Sequence, residues 1–223
     1  MRPRTRFAVP KKGAGMDAPD IERYCDLMEE VKRRINVVDH FLSGKGNALY
    51  EPTTLESIAL QLRKVLELIA LGSLVANKDS YSAANKKFAR DWNARLILRD
   101  LERVNPDFYP SPVVEAPCAD PRVVHQLKDR QPDYLTKHEF ERAYEKCGAL
   151  MHAQNPYRSP IDYDYYRQKL GAWRTQIVNL LNNHRIRLVN ETGFYVIHMK
   201  EDRDDKVHYY KFQRLAAGEV GGT

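Results

Sequence analysis

Apolar residues crowd the stretch from Thr54 to Asn77. Leu55, Ile58, Leu62, Val65, Leu66, Ile69 and Leu74 recur at three- and four-residue steps, the spacing of one helical face. Leu60, Leu68, Leu71 and Val75 carry apolar surface well beyond that face, as in a helix enclosed by other helices. Gln61, Arg63, Lys64 and Glu67 interrupt it, which is too much charge for a membrane span. The pattern predicts the central helix of a bundle, entered through Pro52 with Thr54 as its cap.

The same periodicity marks its neighbours. Ile21, Tyr24, Met28, Val31, Ile35, Val38 and Leu42 predict a first helix, capped by Asp17 or Asp20 and stopped by the Gly44 and Gly46 turn. A third helix is expected from about Ser80 to Val104, with Phe88, Trp92, Leu96 (with Ile97) and Leu101 inward. Residues 105–133 hold Pro106, Pro110, Pro112, Pro117, Pro121 and Pro132. They predict an extended connection, with short strands near Val113-Val114 and Val123-Val124. Thr136-Lys137-His138-Glu139 spells a capping box. It opens a helix that continues through Phe140, Tyr144, Cys147, Leu150 and Met151 and should end near Asn155-Pro156. Asp162 then introduces a helix that buries Tyr166, Leu170, Trp173, Ile177, Leu180 and Leu181 and holds His184 in its last turn.

After Ile186 the period changes to two. Alternation through Lys200, a charged turn at residues 201–205, and the run from Val207 to Phe212 predict an antiparallel β-hairpin. Two strands alone are marginal, so the hairpin must pack on the helices or pair elsewhere. The expected architecture is mainly α, a bundle of about five helices with a C-terminal antiparallel β-hairpin. Residues 1–18 are expected to form a disordered basic tail, 19–215 a single domain, and 216–223 a flexible tail.

Charge changes little in this picture. Of the net charge of +6, five positive charges lie in the first 15 residues, which hold no acid, so the remainder carries +1. The basic character belongs to a tail and not to the body. Cys25, Cys118 and Cys147 are few and far apart, a pattern that predicts neither a disulfide framework nor a zinc site. Without a signal segment or membrane span, the expected location is cytoplasmic. The seven histidines have no metal-ligand spacing, so no metal or cofactor is expected. Phosphate-binding glycine loops and nucleophile-elbow motifs are also absent from the sequence.

The segment Phe140 to Tyr157, FERAYEKCGALMHAQNPY, is the most suggestive for chemistry. A central helix with LRKVLELIA, followed by a helix ending LMHAQNP, resembles the HEPN superfamily of small helical bundles. That resemblance implies a homodimer acting on RNA, as in the metal-independent ribonucleases of toxin–antitoxin and phage-defence systems, where a cognate antitoxin is a partner. Their active members carry an arginine, four to six intervening residues, and then a histidine on a late helix. Here His152 takes the histidine position. Lys146 stands six residues earlier and Cys147 five, so the arginine is missing. Lysine supplies charge to a phosphate but lacks the planar fork. Arg34 and His40 spell the motif on the first helix, where it reads as coincidence.

A histidine titrating near neutrality moves protons, and a neighbouring cation stabilises charge growing on phosphate. His152 and Lys146 are therefore the candidate catalytic pair. Asn155, Tyr157 and Arg158 are the candidate RNA contacts, within an aromatic and basic cluster that continues through Tyr163, Tyr165, Tyr166 and Arg167. Tyr209-Tyr210-Lys211-Phe212 offers a second such cluster, better read as a packing strand. The alternative is a non-catalytic HEPN-like module for dimerisation or protein interaction, which the missing arginine favours.

Overall fold

The computed structural model describes residues 7–8, 16, 18–84, 92–117, 125–188 and 193–214. Helix α1 (Ala18–Leu42) and helix α2 (Glu51–Ala76) form a long hairpin. Then come α3 (Lys78–Ala84), α4 (Ala94–Val104), α5 (Lys137–Leu150) and α6 (Tyr163–Leu181). The central-helix expectation is met: α2 packs on all five other helices. Leu62, Val65 and Leu66 at its middle have no exposed surface. The predicted stripe of α1 is buried from Ile21 to Val38, and every predicted inward residue of α6 is buried. No helix among the described residues is long and apolar enough to cross a membrane.

Several expectations need correction. The central helix begins at Glu51, with Pro52 in its first turn and Tyr50 as cap, where proline's missing N–H costs nothing. The hydroxyl of Thr54 instead accepts from the Ala48 amide at 2.9 Å, pinning the preceding loop. The third helix is two helices. α4 starts afresh at Asn93, whose side chain accepts from the Leu96 amide. Its buried face is therefore Ala94, Ile97, Leu98 and Leu101, while Trp92 is 68% exposed and Leu96 also faces outward. Phe88 lies outside the described residues.

The third correction concerns the C-terminal hairpin. Strands β5 (Phe194–His198) and β6 (His208–Arg214) do pair antiparallel, Val196 opposite Tyr210. They belong, however, to a larger antiparallel sheet ordered β1-β6-β5-β4-β2-β3. Its other members are β1 (Phe7–Ala8), β2 (Ser111–Pro117), β3 (His125–Asp129) and β4 (Asn183–Ile186). β1 lies within the predicted tail. β2 covers the predicted strand at Val113-Val114, whereas Val123-Val124 falls outside the described residues. β4 follows α6 directly, and the backbone N–H of Met199 returns to the carbonyl of Asn182. The proline-rich segment thus supplies two strands, and the sheet satisfies backbone groups that an isolated hairpin would leave unpaired.

His184 ties the sheet to the bundle. It sits in β4, not in a helical turn, and is fully buried. Its Nδ1–H donates to the carbonyl of Leu181 at 2.6 Å, and its Nε2 accepts from the Tyr24 hydroxyl on α1 at 2.8 Å. Both ring nitrogens are engaged in the neutral tautomer, since a carbonyl can only accept. Burial pushes the imidazole pKa down to about 4. Asn105 makes a second buried link, donating to the Asn77 side chain at 2.6 Å and to the carbonyl of Arg187 at 3.1 Å.

Candidate functional site

Helix α5 carries the sequence-predicted site. It opens with the predicted capping box: Thr136 accepts from the Glu139 amide, and the Glu139 carboxylate accepts from the Thr136 amide. Phe140, Ala143, Tyr144, Cys147 and Leu150 face the core. The helix ends at Leu150 with Met151 as its cap, two residues before His152. His152 therefore lies just beyond the helix, in the first turn of a loop, because the helix stops short of the Asn155-Pro156 end expected for it.

Every residue from Met151 to Pro160 is exposed. The loop owes its shape to its own polar groups. The Asn155 side chain accepts from the Tyr157 amide at 3.0 Å, and the Arg158 amide closes a turn on the Asn155 carbonyl. Gln154 donates to the carbonyl of Ser159 at 2.9 Å. Asp162 then caps α6, accepting from the Tyr165 amide at 2.9 Å. Such side-chain-to-backbone bonds mimic turns and fix a loop without burying it.

The candidate residues divide by environment. His152 is exposed, and its ring makes no hydrogen bond or ion pair among the described residues. Tyr157 is 96% exposed, an aromatic ring left entirely out of packing. Arg158 beside it is exposed as well. Lys146 is exposed, with its ammonium 5.6 Å from the centre of the Tyr165 ring. Asn155 holds the turn, so its side-chain oxygen is already in use.

Cys147, five residues before His152, is a core residue. Burial pushes its thiol up to about 12, with the Arg63 guanidinium pulling the other way. It is no nucleophile at neutral pH. Arg63 and Glu67 form an ion pair at 3.5 Å. Arg63 also donates to the carbonyl of Tyr144 at 2.8 Å and lies 3.7 Å from the centre of its ring. This cation fastens α2 to α5. On α1, Arg34 is held by Glu30 at 2.7 Å and by Gln61 at 2.9 Å, consistent with a structural reading of that motif.

Two polar groupings were not legible as sites. His198 and His208 stand opposite one another on β5 and β6, but each is engaged elsewhere. His198 lies between Glu115 at 3.0 Å and Glu201 at 3.9 Å. His208 bonds Asp204 at 2.9 Å, and Arg203 donates to its other nitrogen. The Tyr210 hydroxyl donates to Glu201 and, with the neighbouring cations, holds that carboxyl below its usual range. Glu115 comes from β2, so only the folded sheet brings this cluster together. Among the described residues no group of three histidine, cysteine or acidic side chains is placed to hold a metal ion. The second grouping is a cleft where β2, β3 and β4 meet the start of α5, lined by Arg130, Lys137 and Arg185.

With that geometry in place, no family model, no curated protein and no solved structure matches the chain.

Proposed function

We propose that this chain is an RNA-binding protein that takes single-stranded RNA on the α5–α6 loop. The observation that carries the reading is Tyr157, 96% exposed, on a loop shaped by its own hydrogen bonds and flanked by Arg158 and His152. A free aromatic ring stacks a base whatever its sequence, and adjacent cations hold the backbone phosphates. Stacking on a pre-shaped loop costs little ordering entropy. The HEPN-like resemblance of α2 and α5 points the same way.

Cleavage is the catalytic form of this proposal. An imidazole without an intramolecular partner can take the proton of a ribose 2′-hydroxyl or protonate the leaving oxygen. Lys146 would supply charge, and a homodimer would bring two such loops to one strand. A second reading, a protein-interaction module, draws on the α1–α2 loop, which lies at the same end of the bundle, where Arg167 of α6 pairs with Glu51. There Leu49 is completely exposed at a φ of 66°, beside the exposed Tyr50. A leucine held in left-handed backbone and open to water is uncommon.

The test is binding of fluorescent single-stranded RNA in excess EDTA. Tyr157→Ala is expected to weaken binding about tenfold, the loss of one stacked base. Equal binding by wild type and Tyr157→Ala, or none by either, rejects the loop as an RNA site. RNA cut by wild type and left whole by His152→Ala makes the site catalytic. Binding without cutting makes it recognition alone.

A further inference from the structure

The cleft at the opposite end of α5 has a volume of about 390 Å³, within the roughly 300–1,000 Å³ of small-molecule sites. Three cations line it, Arg130, Lys137 and Arg185, against two carboxylates, Asp107 and Asp129. Tyr134 supplies an aromatic wall. We propose that this cleft binds a small phosphomonoester of mononucleotide size, its phosphate on Arg185 and Lys137 and its flat ring against Tyr134.

Arg185 is the anchor. Its side chain is only 19% exposed, and it pairs with Asp129 at 3.1 Å. The guanidinium lies over the Phe194 ring at 5.5 Å, which fixes its plane. Its Nε is buried and makes no hydrogen bond among the described residues. A buried guanidinium nitrogen without a partner is costly, and such groups mark places where an ion or water completes the site. The other two cations have their counter-ions outside the lining. Arg130 is clamped by Asp133 at 2.7 and 2.9 Å, and Lys137 pairs with Glu102. Those pairs hold the charges in position around the cleft. A dianionic phosphate is matched by the fork of an arginine better than by any other side chain.

The cleft is already formed. Ser111 and Pro112 on its wall are paired with Arg185 and His184 of β4. The Arg130 amide bonds the carbonyl of Pro112 at 3.1 Å, and the Tyr109 hydroxyl bonds that of Leu135 at 2.9 Å. Pro106, Pro110 and Pro112 stiffen the same wall. Little order remains to be lost when a ligand enters. The separation from the RNA loop is the length of α5, about 20 Å at 1.5 Å per residue, so the two sites stand or fall independently.

Calorimetric titration of the full chain with adenosine 5′-monophosphate, adenosine and inorganic phosphate tests this. The monophosphate is expected to bind with a Kd of about 1 mM or tighter, phosphate more weakly, and adenosine not measurably. Arg185→Met is expected to weaken binding about tenfold or more. Lys137→Ala, on the surface and safe for folding, weakens it about threefold. Asp129→Asn strengthens it, because the guanidinium is released from its carboxylate. Tyr157→Ala binds as wild type. No heat with the monophosphate, equal affinity for adenosine, or affinity unchanged in both Arg185→Met and Lys137→Ala overturns the proposal. A 5′-phosphorylated oligonucleotide that binds more tightly than the monophosphate, and loses that advantage in Lys137→Ala, overturns the assignment to a free small molecule.

Discussion

Two histidines define two ways this chain uses a polar side chain. His184 is sealed between sheet and bundle with both nitrogens bonded, to Tyr24 and to Leu181. His152 stands on a loop in which no residue from 151 to 160 is buried. The first ring closes a joint between elements far apart in the chain, and its replacement removes packing and two hydrogen bonds together. The second supports nothing in the fold. A residue that the architecture does not need is free to serve a ligand, and this contrast gives the α5–α6 loop its functional weight.

The largest stability effect belongs to the sealed ring. His184→Ala leaves the Tyr24 hydroxyl buried without a partner and opens a cavity, at a cost of about 3 kcal/mol or more. Tyr24→Phe removes one bond and costs about 1–2 kcal/mol. Urea denaturation at pH 7.5 measures both. The pH profile supplies the signature. With the folded imidazole at about 4 and an ordinary unfolded value near 6.5, the unfolded chain binds more protons between those limits. Stability due to this group is complete above about pH 6.5 and is lost progressively as pH falls toward 4. Most of that slope disappears in His184→Ala. An unchanged slope places the acid sensitivity in other groups and breaks the comparison on its buried side.

Legibility in the sequence followed the same division. The stripes of α1, α2 and α6 were readable because a long helix repeats its signal at every turn, and one face of each meets the core. The sheet was readable at β5 and β6, where alternation is local, and at the Val113-Val114 pair of β2. β4 is four residues, Asn183–Ile186, attached to a helix end and indistinguishable from its last turn. The pairing of β2 and β3 hides among prolines, with Pro112 tolerated in a strand of which only the beginning pairs with β4. α4 was misphased because periodicity was carried across a break, whereas Asn93 resets the helix. The partnership of Tyr24 with His184 spans 160 residues and leaves no local trace. At the candidate site, exposure of His152 followed from its place at a helix end. The role of Asn155 as a turn former and the cluster around His198 required the coordinates.

Arg63 links the two regions, because it fastens the central helix to the end of α5 that feeds the loop. Gly148 makes room for it: a Cβ there would overlap the guanidinium. Gly148→Ala gains helix propensity of up to about 1 kcal/mol. It displaces the cation from the Tyr144 carbonyl and ring, which costs about 1–3 kcal/mol. A net loss of about 1 kcal/mol in urea denaturation is expected, accompanied by faster amide exchange at Leu150 and Met151. A net gain in stability would mean that the guanidinium moves aside without penalty, and that the α2–α5 fastening is not what positions the loop.

The smallest stability effect is expected where the functional effect is greatest. His152→Ala and Tyr157→Ala touch no core contact, and surface changes of that kind stay within about 0.5 kcal/mol. Both variants should therefore melt with wild type while Tyr157→Ala loses RNA. That pairing matters more than either measurement alone. Lost binding in a destabilised protein has a trivial explanation, and retained binding in a stable one removes the loop as an RNA site. If His152→Ala instead proves destabilising by more than about 1 kcal/mol, the imidazole has a structural partner in solution. The two histidines would then differ in exposure alone, and the case for chemistry at the loop would rest on Tyr157 and Arg158.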